Sequence, residues 1–301
     1  MFLRFICVLL VSLSILFVFV LENKVDRQVV NIESKIDQLN NQFFEKAFGA
    51  DALEEFVSLL KKYTVYDLNG EVNLVRLGKE NDGGYVVSEV SLRKAEALLG
   101  YGVNTDISFE EEFSEKYGKN SYGFDCTIDN IDIKNKLTHF VPECIKKDGS
   151  LKVKGSELKE SSFNQQLKNL NLENKKLFIK MDIEGDEYKT LYDILDKAPN
   201  ITGIAMELHF DDYIDQFKEA EKLLKALSKD FYLINVHANN CAWQKFTAKN
   251  VRGNILKVLQ LSYVNKNLVD NAKISDDQKH PSNLDTPNNK RQKEIEFEIL
   301  N

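Results

Sequence analysis

Asp182 and Glu184 stand two positions apart at the end of the apolar run Leu177–Ile183. An extended chain directs both carboxylates to one side there. The pattern recurs as Glu207 and His209 closing the run that starts at Ile201. It recurs again as His237 and Asn239, with Asn240 alongside, after Phe231–Val236. Three strands that end this way and lie side by side would gather carboxylates and imidazoles on one edge. Such a group can bind a divalent cation or take a proton from a hydroxyl. An oxygen-rich set of Asp182, Glu207, His209 and His237 suits magnesium or manganese better than zinc or iron. Histidine, with its near-neutral pKa, is the natural proton acceptor. Each imidazole also has a plain reading as a hydrogen-bonded packing residue. Two of the chain's four histidines falling on adjacent strand ends favours the chemical one.

The elements that must position these groups alternate along the chain. Leu177–Ile183 lacks surface-type alternation, which predicts a strand buried on both faces. Gly185 gives a sharp exit, and Asp186 and Glu187 read as helix-capping carboxylates at the positive end of the dipole. Upstream, Ala95–Gly102 predicts a strand, Ser108–Glu111 a capping box with Ser108 as cap and Glu111 reaching back, and Ser121–Phe124 a strand ending at Asp125. Strand, glycine turn, helix, strand and terminal acid is the order of a nucleoside-binding βαβ unit, in which the acid accepts hydrogen bonds from ribose hydroxyls. A dinucleotide would want a third glycine; only Gly100 and Gly102 are present, and Asp106, Glu110 and Glu111 crowd the helix start. Negative charge there opposes a pyrophosphate and tolerates an amino group or a sulfonium, as in S-adenosylmethionine.

Val72–Leu77 and Tyr85–Val90 predict a hairpin around Asp82-Gly83-Gly84, Thr138–Val141 a further strand, Tyr188–Leu195 and Ile214–Leu227 helices, and Ile255–Val264 a last strand. The last two strands have no convincing helix between them and are expected to pair antiparallel. The fold class is therefore α/β, a mostly parallel sheet covered on both faces. Residues 151–172 are polar and assign to no element. Residues 265–301 read as a polar loop or tail, with Ile295, Phe297 and Ile299 patterned for an edge strand.

Phe2–Leu21 is long and apolar enough to cross a bilayer and lacks a small-residue cleavage site, so residues 1–22 read as an uncleaved anchor rather than a signal peptide. Its orientation is undecided. Within residues 23–48, Val25, Val29, Ile32, Ile36, Leu39 and Phe43 alternate spacings of four and three, fitting either a stalk that pairs two copies or a single amphipathic helix. The 301-residue chain is 43% hydrophobic with net charge −7 and no basic stripe, which argues against nucleic-acid binding. Beyond Cys7, Cys126, Cys144 and Cys241 are odd in number and widely spaced. They suggest neither a disulfide framework nor a zinc cluster, and lean towards a reducing compartment.

The segment Lys180–Glu187 resembles the hallmark of FkbM-type methyltransferases, S-adenosylmethionine-dependent enzymes of the class I fold. Asp82–Val87, Gly102–Glu111 and Phe124-Asp125 resemble the membrane-linked branch of that family, so the likeness spans Leu74–Val264 within a domain of residues 49–264. The resemblance implies a Rossmann-like, seven-stranded sheet with its last strand antiparallel and O-methylation of a sugar or other hydroxylated acceptor. It places Gly100, Gly102, Asn104, Phe109 and Glu110 against the cofactor, Asp125 on its ribose, and Asp182 and Glu184 facing the transfer cleft. Asn104 and Asp106 depart from the commonest class I glycine loop. The same first unit would also serve a nicotinamide-dependent oxidoreductase, and a degenerate domain on a stalk would serve a non-enzymatic, membrane-tethered assembly protein. The cytosolic side is favoured because the methyl donor is made there.

Overall fold

The computed structural model describes residues 66–68, 72–146, 159–210, 213–241, 243–248, 251–270, 272–274 and 279–298. The expected anchor and stalk lie outside these residues; among the described ones no helix is long and apolar enough to cross a membrane. The chain divides into two compact units, and the larger draws on residues 54–243 and 256–301. Of the other, the described residues 244–248 and 251–255 belong to two strands joined to each other, Trp243–Ala248 and Val251–Leu256.

Within the larger unit, β1 (Leu74–Leu77) and β2 (Tyr85–Ser88) form the expected antiparallel hairpin, followed by α1 (Glu89–Lys94). The βαβ unit is β3 (Ala97–Tyr101), α2 (Ser108–Tyr117) and β4 (Asn120–Phe124), with β5 (Thr138–Val141) beside it. After α3 (Phe163–Leu170), which lies within the stretch that the sequence left unassigned, come β6 (Leu177–Met181), α4 (Glu187–Leu195), β7 (Ile201–His209), α5 (Tyr213–Asp230), β8 (Phe231–Ala238) and β9 (Val258–Asn265). Seven strands make one sheet in the order β8-β9-β7-β6-β3-β4-β5. Within this sheet β9 runs antiparallel to both β7 and β8, while the pairs β7–β6, β6–β3, β3–β4 and β4–β5 are parallel.

Strands β6 and β7 are buried along their whole length, as a central parallel strand covered by layers on both faces requires. One face carries Leu77, Tyr85, Val87, Leu92, Phe109, Phe113 and Phe178, contributed by the hairpin, α1, α2 and the sheet. The parallel ladder then runs one residue past each strand end. Asp182 donates its N–H to Tyr101 O at 3.0 Å, Gly102 to Phe124 O at 2.9 Å, and Asp125 to Val141 O at 3.2 Å. Asp182, Gly102 and Asp125 therefore stand on consecutive strands at the C-terminal edge, where open α/β sheets bind ligands.

Four expectations are corrected. The antiparallel β9 inserts between β7 and β8, so Glu207 and His237 do not close adjacent strands; Gln260 of β9 stands opposite both. The capping box does not form: α2 begins at Ser108 without a side-chain cap, Asp106 Oδ1 accepts from Ser108 N at 3.0 Å, and Glu111 accepts from Lys134 N and Asn135 N. Cys126 and Cys144 are joined in a disulfide, because the exit of β4 lies beside the short strand Cys144–Lys146. That removes the cysteine argument for a reducing compartment. The C-terminal segment is packed rather than loose. Asp285 accepts from Asn235, Asn240 donates to the Asn289 carbonyl, Glu294 meets His237, and Ile295 and Asn288 are buried. Phe297–Glu298 does form a strand, paired with Lys279–His280 instead of the main sheet.

Deleting residues 279–301 removes buried Ile295 and leaves His237 without its carboxylate, together worth about 2 kcal/mol. The thermal midpoint is expected to fall by roughly 4–8 °C. An unchanged melting curve would contradict the packed segment.

Candidate active site

Above the strand ends lies a cleft of about 670 Å³. The β3–α2 turn gives Gly102, Asn104, Asp106, Phe109 and Glu110; the β4 exit gives Asp125, Cys126 and Thr127; the end of β6 gives Lys180, Asp182, Glu184 and Asp186. The hairpin turn, read from sequence as no more than a turn, adds Asn81, Asp82 and Gly83.

The β3–α2 turn is fixed by close backbone approach. Gly102 has φ +74°, and a Cβ on it would meet Asp182 O at 1.6 Å, so no other residue fits. Asn104 also sits at positive φ, 43°, and donates its N–H to Asp125 Oδ2 at 2.8 Å. Thr127 donates its N–H and hydroxyl to Asp125 Oδ1. This terminal acid is therefore held in place and keeps lone pairs for a ligand. Gly100 does not line the cleft; a Cβ there would strike Glu110 Oε1 at 1.8 Å, so this glycine makes room for Glu110. Glu110 is 1% exposed and its Oε1 has no hydrogen-bond partner. Burial pushes its carboxyl up to about 7, against the pull of Lys180.

The turn after β6 does not continue the extended strand. Glu184 and Gly185 take φ +55° and +100°, and the turn wraps around Glu187, whose side chain is fully buried. Glu187 Oε1 accepts from Ile183 N at 3.0 Å and Oε2 from Gly185 N at 3.0 Å. Its Oε1 also lies 3.1 Å from His209 Nδ1. The other imidazole nitrogen, Nε2, faces Glu184 Oε2 at 3.5 Å and Asp182 Oδ1 at 3.8 Å. Asp182 and Glu184 thus do converge, through a turn in place of a pleat. Glu187 is more than the helix-capping acid expected from sequence; a carboxylate two residues beyond a turn glycine is the signal that it can fold back onto turn N–H groups.

Burial disfavours a charged His209, but the Glu187 hydrogen bond and the Glu187, Asp182 and Glu207 charges prevail and raise it to about 9. At neutral pH it is an imidazolium. Burial also raises Asp182, with Lys180 and His209 opposing. Glu207 is pushed up to about 8, first by burial and then by the Asp182 charge. Its Oε1 accepts from Gln260 Nε2 at 2.8 Å, and Gln260 Oε1 lies 2.8 Å from His237 Nδ1. His237 Nε2 then faces Glu294 at 3.3 Å. His237, on β8, is therefore separated from β6 and the cleft by β7 and β9, and serves to tie down the C-terminal segment. Gln260, a lone amide in the otherwise apolar stretch from Val258 to Leu261, was the legible sign of this bridge.

Among the described residues, Asp182, Glu207 and His209 bring ligand atoms within 4.8 Å of one another; His237 is not with them. Glu187 holds the Nδ1 side of His209, which leaves Nε2 as its ligand atom; a metal bound there would displace the imidazole proton.

No family model matches the sequence, and no curated protein matches it. Two solved structures are similar in part. One is the C-terminal domain of precorrin-6Y C5,15-methyltransferase from Rhodobacter capsulatus, at 12% identity and a TM-score of 0.29, covering 58% of this chain and 84% of that one. The other is a protein assigned as a SAM-dependent methyltransferase from Streptococcus mutans, at 10% identity and a TM-score of 0.29, covering 58% of this chain and 46% of that one. Superpositions that loose carry no weight for chemistry, which rests on this chain's own strand order and cleft.

Two outcomes check the electrostatics. The His209 resonance in a proton NMR titration is expected to move near pH 9 in the native chain, and roughly 1–2 units lower in Glu187→Gln. A native midpoint near 6.5 would contradict the pairing. Both Glu207 and His209 bind protons more tightly folded than unfolded, so stability present at low pH is lost as pH rises. The loss runs through about 8 for Glu207 and about 9 for His209. The thermal midpoint should fall between pH 6 and 9, and less steeply up to pH 8 in Glu207→Gln; a midpoint rising over that range would show the sign to be wrong.

Proposed function

We propose that this chain is an S-adenosylmethionine-dependent methyltransferase that methylates a hydroxyl of a sugar or glycan-like acceptor. The observation that carries the reading is the sheet edge: seven strands with the last one antiparallel, a glycine turn after β3 and a fixed acid after β4, all beside Asp182. This is the sheet implied by the likeness of Lys180–Glu187 to FkbM-type enzymes.

Charge supports a sulfonium ligand over a dinucleotide. Asp82, Asp106, Glu110, Asp125, Glu160, Asp182, Glu184 and Asp186 line the cleft against Lys79 and Lys180. The first turn of α2 carries Glu110 and Glu111, where a pyrophosphate would need to rest. The residues present fit the cofactor: Gly102 leaves a cradle that a Cβ would fill, and Asp125 keeps acceptor capacity for ribose hydroxyls.

When bound, the cofactor supplies an electrophilic methyl group on sulfur. The chain must hold the acceptor hydroxyl in line and remove one proton. His209 already carries a proton at neutral pH, so the proton goes to Asp182, whose affinity for it is raised by burial. His209 and Glu184 orient that carboxylate from behind and beside it. The hydroxylated acceptor, the membrane anchor at Phe2–Leu21 and the pairing of two copies through a stalk belong to the same proposal.

Calorimetric titration of the full chain tests it. S-adenosylhomocysteine is expected to bind and NAD not to, with affinity at least tenfold weaker in Asp125→Ala. Asp182→Asn should retain that binding and lose roughly 10²–10⁴ in turnover of a hydroxylated acceptor. Binding of NAD alone would favour an oxidoreductase; binding of neither ligand, a non-enzymatic domain.

A further inference from the structure

Three side chains on this edge are each tied down at one atom and open at another. Glu187 Oε1 lies 3.1 Å from His209 Nδ1, which leaves Nε2. Gln260 donates to Glu207 Oε1 at 2.8 Å, which leaves Oε2, with Asn239 Nδ2 3.4 Å away. Lys180 Nζ lies 4.0 Å from Asp182 Oδ2, which leaves Oδ1. The open atoms face one another. Nε2 is 3.8 Å from Asp182 Oδ1 and 4.0 Å from Glu207 Oε2, and Glu184 Oε2 joins them at 3.5 Å. A charged N–H that bonds a carboxylate directly closes to about 2.7–2.9 Å. These separations are too long for that and suit atoms bridged by a third. Two ligands about 2.1 Å from one ion stand no more than about 4.2 Å apart. Partners that fix the second atom of each ligand are the usual surroundings of a bound metal. A group outside the cluster points the same way. The Tyr85 hydroxyl from β2 is buried without a hydrogen-bond partner, and among the charges around it Glu207 and Asp182 act most strongly.

We infer that Asp182, Glu207 and His209 Nε2 hold a divalent cation, with Glu184 as a further donor from the open side. Asp182 and Glu184 line the cleft, and the buried His209 and Glu207 lie behind them, so the cleft is the way in. One imidazole among carboxylates suits manganese(II). The nitrogen favours a transition cation over magnesium or calcium, and the oxygen majority favours manganese over copper or zinc. Binding displaces the proton on Nε2 and leaves Nδ1–H with Glu187, so the ion takes over the positive charge among these acids. The inference goes beyond the methyl-donor reading and does not need it, because the site belongs to β6, β7 and the turn after β6.

Manganese(II) is the probe, added to the full chain after treatment with a chelator and followed by electron paramagnetic resonance. One ion per chain is expected to bind with micromolar affinity, and Glu207→Gln and His209→Gln are each expected to weaken it at least about tenfold. Pulsed resonance on the ion bound to the native chain should show a single directly ligated imidazole nitrogen, a readout that does not depend on any variant folding. A native chain that leaves manganese free up to about 1 mM overturns the site. So does a bound ion without nitrogen coupling, or one whose affinity neither variant changes, since it then rests on exposed acids. Calorimetry with S-adenosylhomocysteine on the same chain reports on the methyl-donor reading separately, and its failure beside a bound ion would overturn that reading alone.

Discussion

The buried carboxylate of Glu187 is the constraint on which the site depends. A carboxylate taken out of water is tolerated only when its lone pairs are filled. Here they are filled by the Ile183 and Gly185 N–H groups and by His209. Those partners dictate the rest. The turn must curl back on its own helix, which puts Glu184 and Gly185 at positive φ. Asp182 is then held at the cleft, and the imidazole is locked as a cation with its free nitrogen aimed at Asp182 and Glu184. One side chain thus shapes the turn, sets a charge and orients the group proposed to take the proton.

Charge balance on this edge extends across three strands. Glu207 holds its proton more firmly than an exposed acid because it is buried and Asp182 is near, and it is joined through Gln260 to His237 and on to Glu294. The bridge couples the chemistry-bearing edge to the C-terminal segment, whose Asn288 also reaches the hairpin residue Asp82. The segment from Asp285 to Ile295 is therefore packed onto β8 and the hairpin and is not an appendage. Preorganisation of this kind lets fixed charges act on a ligand without rearranging when it arrives.

Much of this was legible in the residues. Period and burial pattern placed the strands that carry Asp125, Asp182 and His209, and the glycine turn and terminal acid of the first βαβ unit stand together as expected. What was not legible depends on contacts distant in sequence. No local pattern says that β9 inserts between β7 and β8, and that insertion is what separates His237 from Glu207. The disulfide follows from a return of the chain that brings Cys144 beside Cys126. The polar C-terminal segment reads as a solvated tail because its fixing bonds come from Asn235, His237 and Asn240. Glu187 was misjudged because helix-opening acids are common, and only its burial reveals the other role.

The most direct test of the central claim is a crystal structure of the full chain with S-adenosylhomocysteine. The account places the ribose hydroxyls within hydrogen-bonding distance of Asp125 and the sulfur beside the Asp182–Glu184 turn. A ligand seated away from that edge, or an Asp182 that the bound sulfur leaves out of reach, would contradict it.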